Sequence, residues 1–471
     1  MQQRPRICYL VSLGLAALAG LSCMAFGAWA QPEEELPKPS EQQPLTLSAA
    51  VQWALAHNPQ LATFRRNRGI AQAAVQIAKQ YPFNPIVQDF VWYGNGPPAA
   101  GVTNHVFEEH TMRTDLELMH QGRYRRGIAR NALSRTEWEI AAQELLVSVQ
   151  VTRAFNNVLY RRAKYRVLEE GAQFTQQIAD NVKHLYEQGT LKSADLLLAQ
   201  ADVVEARNLL GPARSLLVVA ENDLRRSVGM IEESFSVDGT LEKGFVAPPA
   251  SALVQVSMER RPDLHALEFA VSEANERVRF EVANRWGNPS LGPAFEFNET
   301  SVYFTGAWLI WSPPVFNTRR GEIRQRQAEL ARAVQALRQG EVQVQQDLFA
   351  GLSRLVQAEH VVNDFRNIAL PKLRQTREEL DKLYEAGQPG VDLARVIDVR
   401  RRLLRARDGY LDVLLELSQA QTDLAAAVSD LSFAGCRTKP QTPDSTPAEG
   451  KQPDAPVGEE LPPPSPAPEK K

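Results

Sequence analysis

The sequence predicts a mainly α-helical chain that contributes four β-strands to a membrane β-barrel completed by other copies of the same chain. Three observations predict this fold class: an internal duplication, paired segments with strand-like alternation, and long helical segments with heptad spacing. The 471 residues carry a formal charge of −3, from 53 basic and 56 acidic side chains, and this balance argues against nucleic acid as a partner.

The N-terminal residues have the layout of a secretory signal. Two arginines precede an apolar segment over 7–27, and an Ala-Trp-Ala tripeptide ends at residue 30. This pattern predicts a signal peptide over 1–30. Lipidation at Cys23 is one alternative, and a retained helical anchor is another. After residue 30 no apolar run reaches the roughly 18 residues that a spanning helix needs, so any bilayer span there would be β.

Both ends of the remaining chain have compositions typical of flexible segments. Residues 31–44 are rich in proline and glutamate and predict a flexible leader. Ten of the last 35 residues are proline, and we expect a disordered tail over 436–471.

The chain between these ends is an internal duplication. Three short motifs recur in the same order, each with an offset of about 200 residues. We therefore divide the chain into a first structural repeat at 45–245 and a second at 246–435. The three pairs are His57 to Leu61 with Arg260 to Leu264, Asn84-Pro85 with Asn288-Pro289, and Leu185 to Gly189 with Leu383 to Gly387.

Each repeat changes its hydrophobic period in the same order. A first segment has the spacing of amphipathic helices, a second alternates with period two, and a third is again helical. The alternating segments predict one β-hairpin in each repeat. The helical segments are 46–80, 123–228, 250–285 and 319–430, and the strands are about 83–94, 106–119, 290–298 and 300–312.

The second predicted strand has one polar and one largely apolar face. The apolar parity includes Met112, Leu116 and Leu118, and the fourth strand adds aromatic residues typical of a barrel that crosses the membrane–water interfaces. A soluble sandwich with these aromatics in its core is the alternative. On the polar parity, the residues expected to line the barrel lumen are Glu109, Thr111, Arg113, Asp115 and Glu117.

Four strands cannot close a barrel by themselves. Lipid offers no hydrogen-bonding partner to an open sheet edge, so spanning strands must form a complete ring. Known single-chain barrels need at least about eight strands. Three copies would supply about twelve strands, and the same symmetry would gather their long helices into one tube.

The long helical segment of the second repeat has coiled-coil spacing. Its apolar residues recur every seven positions in two columns. We expect a kink at Pro371, because proline removes a helical hydrogen bond. The two columns are Ile323, Leu330, Leu337 and Val344, and Val334, Leu348, Leu355 and Val362.

Together these motifs resemble the TolC-like outer-membrane efflux family, also called outer membrane factors. The resemblance covers about residues 45–430 and depends on the ordered duplicate rather than on one motif. It implies a homotrimer with a twelve-stranded barrel in outer-membrane lipid above an α-helical coiled-coil tunnel in the periplasm. It further implies a passive channel for efflux or type I secretion, with a periplasmic adaptor and an inner-membrane pump as partners. The exported substrate stays open between drugs, metal ions and polypeptides.

Two helix turns are expected to form the adaptor-docking tips, because glycine commonly ends a long helix. These turns are Gly189-Thr190-Leu191 and Gly387-Gln388-Pro389. The resemblance implies a constricting ring of carboxylates near this periplasmic entrance, although Arg395 stands where the family often has its second acid. A helix cap is the alternative role for each aspartate. The entrance candidates are Asp195, Asp392, Arg395 and Tyr384.

Other chemistry has little support in the sequence. No side chains are spaced as a catalytic triad, so we expect neither an enzyme nor a cofactor. His110, His120, Met112 and Met119 suggest a metal path, but neither histidine has a second histidine nearby in its strand, and the three cysteines are scattered, so we expect no metal site. A periplasmic coiled-coil adaptor or scaffold is the main alternative function, and a secreted hydrolase is a weaker one.

Basic residues follow the second and fourth strands, where each returns to a helix. They are Arg123-Tyr124-Arg125-Arg126 and Arg319-Arg320. We expect them to form a basic collar below the barrel.

Overall fold

The computed structural model describes residues 44–94, 105–189, 191–230, 235–242, 249–385 and 393–435. These residues belong to one compact unit, Ser40–Lys471. The predicted signal peptide with Cys23, the leader up to residue 43 and the predicted C-terminal tail lie outside the described residues.

The two repeats have the same order of elements: short helices, a β-hairpin and then long helices. This confirms the predicted duplicated unit. The first repeat contains α1 (Leu47–His57), α2 (Pro59–Arg65), α3 (Asn67–Lys79), β1 (Ile86–Tyr93), β2 (Val106–Asp115), α4 (Gln121–Glu187) and α5 (Ser193–Val228). The second contains α6 (Ala250–Arg260), α7 (Pro262–Asn284), β3 (Ser290–Phe297), β4 (Tyr303–Ile310), α8 (Arg320–Asp364), a π-helical segment (Phe365–Ala369), α9 (Leu370–Glu385), α10 (Leu393–Val428) and a 3-10 turn (Leu431–Ala434).

The repeated motif at the start of each unit separates two helices. In the first repeat, the Asn58 side chain accepts hydrogen bonds from the backbone N–H groups of Gln60, at 2.9 Å, and Leu61, at 3.1 Å. Pro59 occupies the first position of α2, where its missing N–H costs nothing. In the second repeat Pro262 has the same place at the start of α7. The motif therefore ends one helix and starts the next.

The four strands form one antiparallel sheet in the order β1-β2-β3-β4. Each hairpin pairs its own strands, and β2 pairs with β3 to join the two repeats. Within the described residues, the outer edge of β1 and the outer edge of β4 have no strand partner. Each observed strand lies inside one of the predicted strand ranges.

The long helices of the two repeats pack side by side. α4 contacts α5, α7 and α10, while α8 contacts α7 and α10. α5 and α8 therefore lie at opposite edges of this layer, with α4 and α10 between them. The main core is buried between the long helices and the short helices of the first repeat, and its fully buried side chains include Phe155, Leu224, Leu348, Leu355 and Leu424.

The backbone hydrogen-bond pattern of the long helical segment in the second repeat changes just before Pro371. Phe365–Ala369 has π-helical hydrogen bonding, and regular α-helix resumes at Leu370. Proline cannot donate to the carbonyl four residues before it, and a wide turn is a common way to accommodate an interrupted ladder. This interruption lies where the sequence predicts a kink.

None of the described helices combines the length and the apolar character needed to cross a membrane.

The backbone of β2 lies close against Gly292 of β3. A Cβ atom at this position would lie 1.7 Å from the carbonyl oxygen of Met112. Only glycine fits here, because any side chain would force the two backbones apart.

We expect Gly292→Ala to lower the free energy of unfolding by about 3 kcal/mol, since overpacking against backbone cannot be relieved by a rotamer change. Urea unfolding of the detergent-solubilised protein, followed by circular dichroism, measures this loss. Gly306→Ala is the matched control, because a Cβ atom on Gly306 meets nothing within 4 Å. Wild-type stability in Gly292→Ala would contradict the register of β2 and β3.

Candidate functional site

The predicted polar face is present on β2 and continues onto β3 at Ser290 and Glu296, whereas the facing positions of β1 are mainly apolar. Glu109 lies opposite Phe90 of β1 and Glu296 of β3. The buried Thr111 side chain donates a hydrogen bond to the carbonyl of Gln88 at 3.5 Å. Two further members of this set have polar partners: Asp115 accepts a hydrogen bond from the Ser290 hydroxyl, and Glu117 is paired with Arg125. Arg113 lies opposite the apolar Ile86.

The opposite face of the sheet is mainly apolar and exposed. Val87, Val91 and Tyr93 of β1 are 64%, 63% and 72% exposed, although β1 is part of the sheet. β3 and β4 add Leu291 and Leu309 on the same parity. A cluster of three polar side chains interrupts this face: the His110 Nδ1 atom lies 2.9 Å from the Asp89 carboxylate, and its Nε2 atom lies 3.7 Å from the Glu108 carboxylate.

Aromatic side chains lie at both ends of the strands. Tyr93 and Tyr303 are exposed at the hairpin end of the sheet. Trp286 and Trp311 are 45% and 50% exposed at the helical end, and the Trp311 indole N–H donates to the carbonyl of Trp286 at 3.0 Å. A sheet with an apolar face between two aromatic bands has the pattern of a membrane β-barrel wall.

The first predicted tip is a tight helical hairpin. α4 ends at Glu187, Gly189 has a φ of 78°, and α5 begins at Ser193. Leu191 packs on a small apolar cluster formed by Ala179, Val182, Ala199 and Val203. The positive φ explains the glycine, since other residues rarely adopt it. Thr190 lies outside the described residues.

Asp195 lies in the first turn of α5, beside this tip. Its carboxylate accepts a hydrogen bond from the backbone N–H of Lys192 at 3.2 Å. The side chain is exposed, so it satisfies the helix start and still faces solvent. The capping role is therefore present, and a role at the entrance stays a prediction.

The second predicted tip lies largely outside the described residues. Gly387, Gln388, Pro389 and Asp392 all fall there. Tyr384 lies in the last turn of α9, and Arg395 is exposed in the first turn of α10. Their proximity to an entrance also stays a prediction.

A ladder of ionic contacts joins α10 to the helices of the first repeat. We call these contacts the inter-repeat ladder. Arg400 adds a cation–π contact, with its guanidinium carbon 4.6 Å from the ring centre of Phe174. The ion pairs, ordered along α10 from the tip end, are Arg401–Asp202 at 2.5 Å, Arg407–Glu170 at 2.9 Å, Lys164–Asp408 at 3.2 Å, Lys164–Asp412 at 3.0 Å and Arg153–Asp423 at 2.5 Å.

Lys164 is the centre of the inter-repeat ladder. Its ammonium group contacts Asp408, Asp412 and the Tyr160 hydroxyl, and that hydroxyl donates to Asp412 at 2.5 Å. Burial alone lowers the pKa of Lys164, but the hydrogen bonds to Tyr160, Asp412 and Asp408 raise it above the usual lysine range. Burial likewise raises the pKa of Asp412, and the hydrogen bonds from Tyr160 and Lys164 outweigh this and lower it. The pair is therefore charged at neutral pH.

Sequence reasoning missed the ladder and one apolar surface. Lys164 and Asp412 are 248 positions apart, and no local pattern joins them. The apolar surface is a third heptad column on α8, formed by Val342, Phe349 and Val356, which are 53%, 54% and 62% exposed. Its spacing of seven was visible in the sequence.

Within the part of the chain that the structure describes, no group of three or more His, Cys, Asp and Glu side chains is arranged to hold a metal ion.

The fold is that of known outer-membrane channels. CusC, a protein that forms a transmembrane channel, matches with a TM-score of 0.66 and 17% identity over 85% of this chain and 99% of its own. The outer membrane protein VceC of Vibrio cholerae matches with a TM-score of 0.64 and 14% identity over 82% and 96%. The MtrE outer membrane channel of Neisseria gonorrhoeae matches with a TM-score of 0.62 and 15% identity over 87% and 98%. The predicted TolC-like fold is thereby confirmed.

No protein-family model matches the sequence. No curated protein sequence matches it either.

We expect Asp412→Asn to lower the free energy of unfolding by about 1 kcal/mol at pH 7, since the carboxylate is half exposed and the ion pair is partly screened. Thermal unfolding of the purified protein measures the loss. Because the pKa of Asp412 is lowered in the folded chain, the wild-type advantage is present above its ordinary value of 3.8 and disappears as the pH falls below that value.

Asp398→Asn is the control for this variant. Asp398 pairs only one turn along its own helix, with Arg402 at 2.9 Å, and both side chains are exposed. We expect its cost to stay below about 0.5 kcal/mol. Equal losses in the two variants, or a loss in Asp412→Asn that does not shrink as the pH falls below 3.8, would contradict the special role of the Lys164 contacts.

Proposed function

We propose that the protein is a passive outer-membrane channel for efflux or type I secretion, supplied through a periplasmic adaptor by an inner-membrane pump. The observation that carries the proposal is the sheet: β2 gives one face a polar stripe, the other face is mainly apolar and exposed, and neither outer edge has a strand partner among the described residues. Such a sheet fits the wall of a water-filled pore in lipid. Its occurrence in the fold of outer-membrane channels supports this assignment.

The strand lengths support a bilayer location. The four strands contain 8, 10, 8 and 8 residues. A tilted spanning strand needs about 9 to 11 residues, and the apolar band of an outer-membrane barrel is roughly 25 Å tall. β2 reaches this length, and β1, β3 and β4 are one residue shorter than its lower limit.

We infer that three copies complete the pore. Each open edge of the sheet can be satisfied by the opposite edge of the next copy, which is a heterologous contact that closes into a ring. The helical layer has a matching arrangement, because its two edge helices carry exposed apolar stripes. On α5 the stripe is Leu197, Val204 and Val218, and on α8 it is Val342, Phe349 and Val356.

The entrance of the proposed tunnel would lie at the two helical tips. Asp195 and Arg395 are in the first turns of α5 and α10, and Asp392 directly precedes α10 in the sequence. Charges in a narrow pore select ions by sign. The exposed Arg395 would offset the carboxylates, so we propose a weaker cation preference than a purely acidic ring would give.

Membrane fractionation and crosslinking test the channel proposal. We expect the full-length protein in the outer membrane, and a crosslinked species of three chains. Phe349→Asp combined with Val356→Asp should reduce the trimer at least tenfold, because it buries two charges in the contact between copies. Leu146→Asp is the matched control: Leu146 is 49% exposed but lies on α4, inside the layer, and this variant should remain trimeric. A soluble wild-type protein in the periplasm would support the adaptor alternative instead.

Asp392→Ala tests the entrance. We expect a change in the cation dependence of single-channel conductance in planar bilayers, since removing three carboxylates from a constriction alters its field. Asp398→Ala serves as the control, because Asp398 is already neutralised by Arg402. Unchanged conductance in Asp392→Ala would favour the capping role.

A further inference from the structure

One end of the sheet, where β2 and β4 lead into the long helices α4 and α8, has an unusual distribution of charge. β2 ends at Asp115 and α4 begins at Gln121, while β4 ends at Ile310 and α8 begins at Arg320. β2 and β4 run in the same direction in the antiparallel sheet, so α4 and α8 start at the same end of the strands. The first turns of both helices therefore lie at one level.

Five arginines in the first three turns of α4 and α8 are exposed and have no carboxylate partner among the described residues. Arg123, Arg126 and Arg130 are spaced three and four residues apart on α4 and share one face. Arg320 and Arg324 lie on α8. Within the described residues, none of the five side chains forms a hydrogen bond or an ion pair. Other arginines near the sheet do form ion pairs: Arg125, Arg135, Arg277, Arg279, Arg319 and Arg326.

The arginine face of α4 lies within one copy rather than at an edge of the layer. On one flank Gly127 lies against Glu276 of α7, with 2.8 Å between its virtual Cβ atom and the carboxylate. On the other flank Arg125 reaches the carbonyl of Ala78 at the end of α3. Both flanks of α4 are thus occupied by the same chain, and the arginines project between them.

The same face is turned away from the polar side of the sheet. Arg125 forms an ion pair with Glu117. Glu117 is two residues after Asp115 and so belongs to the polar set of β2, which places Arg125 on the polar side of the sheet. At 3.6 residues per turn, the other three arginines of α4 lie roughly 100 to 160° around the helix from Arg125. They therefore point away from the proposed lumen.

Two indoles lie at this end of the sheet. Trp311 is two residues after Leu309, on the apolar face of the sheet, and its indole N–H donates a hydrogen bond to the carbonyl of Trp286. The Arg285 guanidinium lies over the Trp286 ring at 6.0 Å. Indoles with an apolar body and a polar edge concentrate at the headgroup level of a bilayer.

We propose that Arg123, Arg126 and Arg130 bind the phosphates of anionic phospholipids in the bilayer leaflet at this end of the sheet. Guanidinium groups bind phosphate oxygens in pairs, and basic side chains near a membrane surface attract anionic headgroups. The inference rests on the proposed membrane location, and it adds a lipid-binding surface to the channel.

Quenching of tryptophan fluorescence by brominated lipids tests this surface in the full-length protein reconstituted into vesicles. Brominated phosphatidylglycerol is the anionic probe, and brominated phosphatidylcholine is the zwitterionic one. We expect the wild-type protein to prefer phosphatidylglycerol, and the variant R123Q/R126Q/R130Q to lose at least tenfold of that preference, since each arginine near the surface contributes roughly fivefold. The wild-type preference should also shrink in about 0.5 M salt, as screening shortens the reach of the charges.

The control variant is R214Q/R338Q/R374Q. It removes three exposed arginines that also have no partner within the described residues but lie far from the sheet along α5, α8 and α9. It should keep the wild-type preference. Equal losses in both variants, or no preference in the wild-type protein, would overturn the proposal.

Conductance in planar bilayers separates this proposal from the channel proposal. Wild-type conductance without any lipid preference would overturn the lipid surface and leave the channel standing. A lipid preference without conductance would do the reverse. Altered ion selectivity in R123Q/R126Q/R130Q with unchanged lipid preference would place these arginines in the lumen and would also overturn the lipid surface.

Discussion

The unpaired edges of the four-stranded sheet are the constraint on which the rest of the structure depends. β1 and β4 each present one row of backbone donors and acceptors without a partner inside the described chain. In water such an edge invites association, and in lipid it is too costly to leave open. A ring of identical copies removes every edge at once, and it places the apolar face of each sheet outside and the polar face inside.

The helices show the same division between contacts inside a copy and contacts proposed between copies. Inside the chain, α10 is tied to the first repeat by charged groups, with Lys164 at the centre of the inter-repeat ladder. At the two edges of the layer, α5 and α8 instead expose apolar side chains such as Val204 and Phe349. Partly exposed ion pairs set geometry at little net stability, whereas apolar stripes drive association. The two repeats can thus keep a fixed relation while copies join along a separate surface.

Much of the fold could be predicted from the sequence, because it is encoded by local periods. The alternation of Glu109 to Glu117 determined a polar strand face, and the heptad column with Leu348 and Leu355 corresponds to side chains that are fully buried. The Asn-Pro and Arg-Pro motifs marked helix starts through the chemistry of proline and asparagine. Sequence reasoning did not reveal which arginines are neutralised. Arg125 and Arg126 are adjacent, yet only Arg125 meets a carboxylate, since that contact depends on how the strand returns to the helix. The pairing of Lys164 with Asp412 was equally inaccessible, because tertiary packing alone brings them together.

The central claim is that the four-stranded sheet of one chain forms a closed barrel only by pairing with the sheets of identical neighbouring chains. Electron cryomicroscopy of the full-length protein in lipid nanodiscs tests it most directly, because a map that resolves the strands shows what pairs with β1 and β4. The account predicts that β1 of one copy is hydrogen-bonded to β4 of the next around a closed ring of three chains. A single chain whose own β1 and β4 close on each other, or whose sheet edges are covered by helices, would contradict it.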